Sequence, residues 1–504
     1  MHWDRVPLFL YVTAVAAAGM LPVAGLAATD GDWRTAQPFL FGGLVVIAVS
    51  GMVALTLNNR RSGLPAREQL LALFGAFTLL PAVLAWPMLM ALPELRALDA
   101  YLEMVSAATT TGMTMEPDEE LWPRAVHLWR AEVAWLGGLL IWIAAIGILA
   151  PLRIGGFELV LPQDQQSRRE AQWLGHRTIS PARRVYRAAT RLSLVYVGLT
   201  FLLWILLMTV GEAPFVALCH AMSTLSTSGI SPVGGLSAGE AGIRGEVVIF
   251  VFFLFAVTRR SFSRDLPPLS EKRLWHEPEF QVAIGAVILV TIVLFVRHWY
   301  VLVETAGFVG IGLIPKAVWG AIFTSASFLT TTGFVSGHWE IARMWSGLST
   351  PGMLLMGLAL IGGGVATSAG GVKLLRIYVL YKHGQYEVSH LIHPSTVGGI
   401  GTRQRLIGRE AAFVAWLFFM LIALTITVVS MTLCLIGVPF EMANVLTLAA
   451  ISNTGQLTEV AMIPPVDTGT LPETAKVVLA FAMALGRLET LAIIALFNPD
   501  FWRQ

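Results

Sequence analysis

Charge is scarce in this chain. Of its 504 residues only 13% are Asp, Glu, Lys or Arg, 56% are hydrophobic, and the mean hydropathy is +0.70. A soluble chain carries about twice that charged fraction. Cysteine is nearly absent. Cys219 and Cys434 both lie in apolar context, which argues against a disulfide framework and a metal knuckle. A net charge of +2 gives a nucleic-acid partner no support. No HExxH is present, and no metal or nucleophile constellation supports a membrane-embedded hydrolase or transferase. The residues around Lys373 do not fit GxxxxGK[ST], so no ATP chemistry follows and the chain reads as a non-enzyme.

In place of charge there are long apolar runs. "PLFLYVTAVAAAGMLPVAGLAA" (7–28) and "FLFGGLVVIAVSGMVALTL" (39–57) can each cross a hydrocarbon core of about 30 Å. The first is too long, and too soon followed by the second, to be simply a cleaved signal peptide. Ten full spans are expected, near 6–27, 39–57, 68–91, 131–152, 189–210, 246–257, 279–298, 350–380, 411–437 and 474–497. Four shorter apolar segments remain, near 97–110, 214–226, 315–330 and 440–452. About a dozen helical residues cannot span a bilayer, so these four read as re-entrant. Irregular backbone at membrane depth is tolerated where it is buried or lines a watery cavity, so four such segments imply a shared pore.

Loop charge sets the orientation. Segments 58–67, 153–191, 258–279 and 373–410 hold 22 Lys/Arg, whereas the opposite segments hold five, among them Arg34, Arg124 and Arg343. The positive-inside rule places the first set, and with it both termini, on the cytoplasmic side of a multi-pass membrane protein. The outer segments are acidic, with Glu116, Asp118, Glu119 and Glu120, and either concentrate cations or form a solvated rim.

Each short segment ends in a small polar turn with glycine. The turns are the tetrads Thr110-Thr111-Gly112-Met113, Thr227-Ser228-Gly229-Ile230, Thr331-Thr332-Gly333-Phe334 and Asn453-Thr454-Gly455-Gln456, with glycines 117, 104 and 122 residues apart. A period of this size, with one span before and one after each turn, describes four copies of one unit. The expected fold is all-α and polytopic: four span–pore helix–span repeats around a pseudo-fourfold pore, plus two N-terminal spans. The divisions are 1–66 for the two spans, then 67–160, 161–265, 266–395 and 396–504 for the repeats. A re-entrant helix entering from outside points its partly negative C-terminus at the bilayer centre, where a cation is stabilised. Glycine then lets carbonyls turn toward the axis, and threonine tolerates extended backbone. Four such strands form rings of oxygens that replace the hydration shell of an alkali cation, as in potassium-channel filters. The first three residues of each tetrad are therefore candidate ion ligands. Potassium would lie at Thr111, Gly112, Ser228, Gly229, Thr332, Gly333, Thr454 and Gly455.

Two features suggest a gate. Gly362, Gly363, Gly364, Gly370 and Gly371 bracket Val-Ala-Thr-Ser-Ala, and each glycine costs a helix about 1 kcal/mol relative to alanine, so the span unwinds there. Thr367 and Ser368 would satisfy freed backbone groups or face an ion; the alternative is small-residue helix packing. Arg487 lies deep in the last span, where a charge costs about 2.5–3.5 kcal/mol, so it faces the interior. It stands either as an electrostatic barrier below the filter or in an ion pair with Glu489 or another carboxylate. Lys373 and Arg376 read as topology anchors or docking sites, and His220 as a packed polar residue.

These motifs resemble the Trk/Ktr/HKT superfamily of cation transporters, and within it the bacterial Trk-type potassium uptake subunits. Besides the tetrads, "WLGGLLIWIAAIGILAPLRIGGFEL" (135–159), "IGGGVATSAGGVKLLR" (361–376) and "ALGRLETLAIIALFNPDFWR" (484–503) carry the likeness. The resemblance implies potassium as the carried ion with no covalent cofactor, a homodimer in lipid, and a cytosolic nucleotide-binding subunit that gates it. It also implies Gly112 as a mark of potassium over sodium, with a sodium-permeable or ion-coupled symporter as the alternative. Departures fall at Ser228, Ile230 and Pro232 in the second turn, and at Gln456 and Leu457 in the fourth. An alternating-access carrier would show two inverted repeats, where four similarly oriented ones are read.

Overall fold

Long uncharged stretches leave a chain in lipid one way to satisfy its backbone, and this chain takes it: among the described residues there are helices and no strands. The computed structural model describes residues 7–57, 65–116, 121–152, 181–258, 274–305, 313–348, 350–392 and 409–489. The acids at 118–120 and the basic stretches within 153–180 and 259–273 lie outside them.

An N-terminal hairpin, α1 (Leu8–Thr29) and α2 (Trp33–Leu57), packs against the next helices of the chain. These are α3 (Pro65–Thr78) and α4 (Leu80–Ala91), the short α5 (Ala97–Ala108) and the long α6 (Arg124–Ala144). The same order recurs in α7 (Pro181–Thr209), short α8 (Pro214–Ser226) and α9 (Gly242–Phe252). It recurs again in α10 (Pro278–Thr305), short α11 (Ile314–Leu329), α12 (Gly352–Ile361) and α13 (Leu374–Ile392). The last round is α14 (Arg409–Ile436), short α15 (Phe440–Ile451) and α16 (Glu473–Leu488).

Seven helices among the described residues are long and apolar enough to cross a membrane. Two of the ten expected spans are broken, the second of them at the glycines where unwinding is expected. The 246–257 span is α9 followed by a separate turn, Leu254–Val257; the 350–380 span breaks between α12 and α13, where the glycines lie. At about 1.5 Å per residue the four short helices reach roughly 18–24 Å, too little to cross.

The packing closes a ring. Each second span touches the short helix of its own round and that of the next: α6 lies on α5 and α8, α9 on α8 and α11, α12 on α11 and α15, and α16 on α15 and α5. Glycines set the separation. A Cβ on Gly137 of α6 would collide with the Ala108 carbonyl, and one on Gly138 with Ser226. Gly486 of α16 meets the Ile451 carbonyl in the same way. The outer surface is apolar (Phe41, Leu44, Leu194, Phe201, Leu424 and Met431 are exposed), while hydroxyl residues are buried at the centre. That is the arrangement of a protein whose solvent is lipid.

Candidate ion path

All four short helices end in the same cap. In a Schellman motif the last-but-two carbonyl accepts a bond from five residues on, while the residue before that donor turns left-handed. Here Thr111 N–H donates to Ser106 (2.8 Å), Ser228 to Ser223 (3.0 Å), Thr332 to Ser327 (2.9 Å) and Thr454 to Ala449 (2.9 Å). The left-handed residues are Thr110, Thr227, Thr331 and Asn453, at φ 56°, 58°, 55° and 53°. The extended backbone expected at the threonines does not hold at the first of each turn. Glycine is usual in this position, and a β-branched residue there is an outlier costing about 1–3 kcal/mol. The same unfavourable choice in three of four turns marks a site that needs the side chain.

Pairs of hydroxyls bridge three of the four left-handed residues. Thr109 Oγ1 and Thr111 Oγ1 lie 2.8 Å apart, Thr330 and Thr332 3.0 Å, and Ser226 donates to Ser228 over 3.0 Å. Thr109, Ser226 and Thr330 were missed from the sequence. Their signal is a hydroxyl two residues before each central Thr or Ser.

Beyond the caps, the first three chains turn at Gly112, Gly229 and Gly333, all left-handed at φ 70°, 65° and 82°. Neighbouring turns touch in ring order. A Cβ on Gly112 would strike the Ser228 carbonyl, and one on Gly229 the Thr332 carbonyl. The fourth turn closes on the first through Gly455 N–H, which donates to the Thr111 carbonyl at 2.6 Å. It then behaves differently. Gly455 is not left-handed, its carbonyl accepts from Thr458 N–H (3.0 Å) and Oγ1 (2.8 Å), and the chain enters a short helix, Leu457–Val460. The side chain of Gln456 reaches back among the other three turns.

Buried carboxylates hold the outer returns. Glu103, paired with Arg130 at 3.0 Å, accepts from Met115 N–H (2.5 Å) and Thr114 Oγ1 (2.9 Å). Glu246 accepts from Ser336 Oγ (2.7 Å), Gly337 N–H (2.8 Å) and Trp319 Nε1 (2.7 Å). A carboxylate gathering several donors fixes a loop more firmly than neutral bonds do. Lys476, buried on α16, pairs with Asp99 of α5 at 2.6 Å. His220 is buried, 2.9 Å from Ser231 Oγ and edge-on to Phe334, the packed role expected for it. One GxSxG pattern is present at residues 235–239, but it lies in a 3-10 turn with Ser237 exposed, not on a strand-to-helix elbow.

The loop between α12 and α13 lies under the turns. Gly370 N–H donates to Thr331 Oγ1 (2.7 Å), and Ser368 Oγ to the Leu225 carbonyl (3.0 Å). A Cβ on Gly370 would meet the Ser452 carbonyl. Gly364 N–H reaches the Ala256 carbonyl (2.9 Å), Thr367 Oγ1 the Gly364 carbonyl (2.7 Å), and Val365 N–H the Glu279 carboxylate (2.8 Å). Gly362 and Gly371 are left-handed and pack on each other, with Gly363 wedged between Ala369 and Ala256.

Arg487 projects from α16 to this loop, and its Nη1 donates to the Ser368 carbonyl at 2.5 Å. Its Nε and Nη2 have no hydrogen-bond partner among the described residues. The ion pair with Glu489 is not formed: Glu489 bonds Arg376 at 2.6 Å. Arg376 is buried, also donates to the Val372 carbonyl (3.0 Å) and stacks over Phe418. Lys373 is buried with its Nζ on the Ala369 carbonyl. Neither is exposed as a docking site, because both tie down the loop's own end.

Lipid-facing spans ringed about a polar centre, with four capped re-entrant helices aimed into it, define a membrane transport protein for cations. The family profile described as TrkH, cation transport protein, matches residues 36–235 and 249–503, and the chain belongs to that family. It is 28% identical to the Trk system potassium uptake protein TrkH of Escherichia coli K12, with 100% of each chain covered. The protein of the same name from Halomonas elongata is 29% identical over 94% of this chain and 93% of its own. The crystal structure of the potassium transporter TrkH from Vibrio parahaemolyticus superposes with a TM-score of 0.79 at 26% identity, covering 100% of each chain.

Proposed function

We propose that this chain is the membrane subunit of a potassium uptake system, carrying the ion along the axis of the ring into the cytoplasm. The observation that carries this reading is the repetition of one capped turn at four places around one axis. The helix C-termini supply negative potential at the centre, and the turned carbonyls of Gly112, Gly229 and Gly333 supply oxygen in place of water. Thr110, Thr111, Thr227, Ser228, Thr331, Thr332, Asn453, Thr454 and Gly455 complete the candidate filter. The relatives named above as potassium uptake proteins support potassium as the ion.

Below the filter, the loop with Gly362, Gly363, Gly364, Thr367, Ser368, Gly370 and Gly371 forms the gate, and Arg487 adds a positive barrier. Loop charge supports cytoplasmic termini, and the resemblance supports a homodimer gated by a cytosolic nucleotide-binding subunit. The division into two N-terminal spans and four repeats belongs to the same reading. Rubidium uptake into liposomes, with sodium and lithium as competitors and with the cytosolic subunit and ATP, ADP or NADH added in turn, tests it. Selective rubidium uptake supports the reading, and no alkali-cation flux under any of these conditions overturns it.

A further inference from the structure

The Gln456 side chain reaches from the fourth turn to the first and second. Its Nε2 donates to the Ser228 carbonyl at 2.9 Å and to the Gly112 carbonyl at 3.3 Å. A Cβ added at Gly112, Gly229 or Gly333 would run into its carboxamide, so the group occupies the space in front of all three left-handed glycines. It is almost wholly buried, and its Oε1 has no hydrogen-bond partner among the described residues. The backbone places it there. The fourth turn bends into a helix after Gly455, which brings residue 456 to the level of the other turns.

We infer that the Gln456 carboxamide is a tethered occupant of the alkali-cation site, competing with the ion for the carbonyls of Gly112 and Ser228. The inference rests on the permeation reading above. Carbonyls grouped around a buried axis are costly unless something positive or hydrogen-bearing faces them. An amide N–H₂ has two donors and meets that need without an ion. A cation entering the ring must therefore break these bonds before it gains its own. The terminal torsion of glutamine is soft, so rotation withdraws the donors from these carbonyls and lets the ion take their place. The side chain then sets the ion concentration at which the filter loads.

The test is potassium binding by calorimetry to the purified full chain in choline buffer, comparing the parent with Gln456→Ala and Gln456→Met. Alanine removes the plug; methionine keeps its length and loses the donors. Potassium is expected to bind both variants more tightly, alanine by about tenfold, the factor that two neutral hydrogen bonds of ordinary net strength supply. Methionine falls between alanine and the parent. Rubidium uptake at low external rubidium should rise in the same order. Equal or weaker binding in variants that elute and melt like the parent overturns the plug. It leaves the permeation reading intact, because the parent still binds. Absence of saturable alkali-cation binding in all three proteins removes the permeation reading and the plug with it.

Discussion

The third and fourth turns start alike and finish differently. Thr331 and Asn453 are both left-handed, and the residue after each, Thr332 and Thr454, donates its N–H back to the carbonyl five residues earlier in the preceding helix. Then Gly333 turns left-handed and its chain runs out to Ser336, which Glu246 holds. Gly455 does not, and its chain coils at once into a helix. The cap is a local motif, dictated by helix-end hydrogen bonding, and it recurs wherever a short helix stops. The path of the chain beyond the cap is set by neighbours: the third return meets a buried carboxylate, whereas the fourth meets the first turn through Thr111. Similar tetrads thus give three carbonyl-lined turns and one that contributes a side chain.

Breaking the third turn should have the largest effect. Gly333→Ala forces a side chain into left-handed backbone, at about 1–2 kcal/mol, and into Gln456 as well, so rubidium uptake should fall by about tenfold or more with weaker discrimination against sodium. Sodium competition in the same liposomes reads both changes. Arg487→Ala comes next. With its guanidinium gone from the Ser368 carbonyl, uptake by the chain on its own should rise several-fold, and unchanged uptake in a normally inserted protein would count against a barrier.

Thr331→Val keeps the branched shape and removes the acceptor for Gly370 N–H. A buried donor left unsatisfied costs about 1–3 kcal/mol, so the loop loosens, thermal stability drops and resting uptake rises modestly. A melt and a flux trace on one preparation test this together. Ser336→Ala should do least, since Glu246 retains Trp319 and Gly337. One bond to a carboxylate is worth about 1.5–3 kcal/mol, but the two that remain keep the return in place, and both rate and selectivity should stay within about twofold of the parent. A large loss there would mean that the third return is held by that single hydroxyl.

Much of the fold was legible because membrane insertion imposes long apolar runs and basic loops. The four tetrads, the glycine break after α12 and the inward-facing Arg487 could be read because each violates its surroundings: polar in apolar, flexible in helical, charged in lipid. What could not be read depends on contacts between distant segments. Nothing near Glu103 announces Met115 as its partner, and nothing near Gly455 shows that its amide will be spent on Thr111. Arg376 and Lys373 look like ordinary cytoplasmic anchors until the loop folds over them. The left-handed threonines were hidden for another reason, since propensity alone would place glycine there.

The glycine contacts of α6 have a mechanical consequence. Gly137 bears on the end of α5 and Gly138 on the end of α8, so one span carries the load of two quarters of the ring. A structure in which every upright supports two neighbours is an arch, and an arch cannot shift one stone alone. Tilting any span would disturb two turns together, a stiffness suited to holding oxygens at fixed spacing. The loop beneath meets the turns differently, through single hydrogen bonds to Thr331, Leu225 and Arg487, while Ala256 and Glu279 hold it from the side.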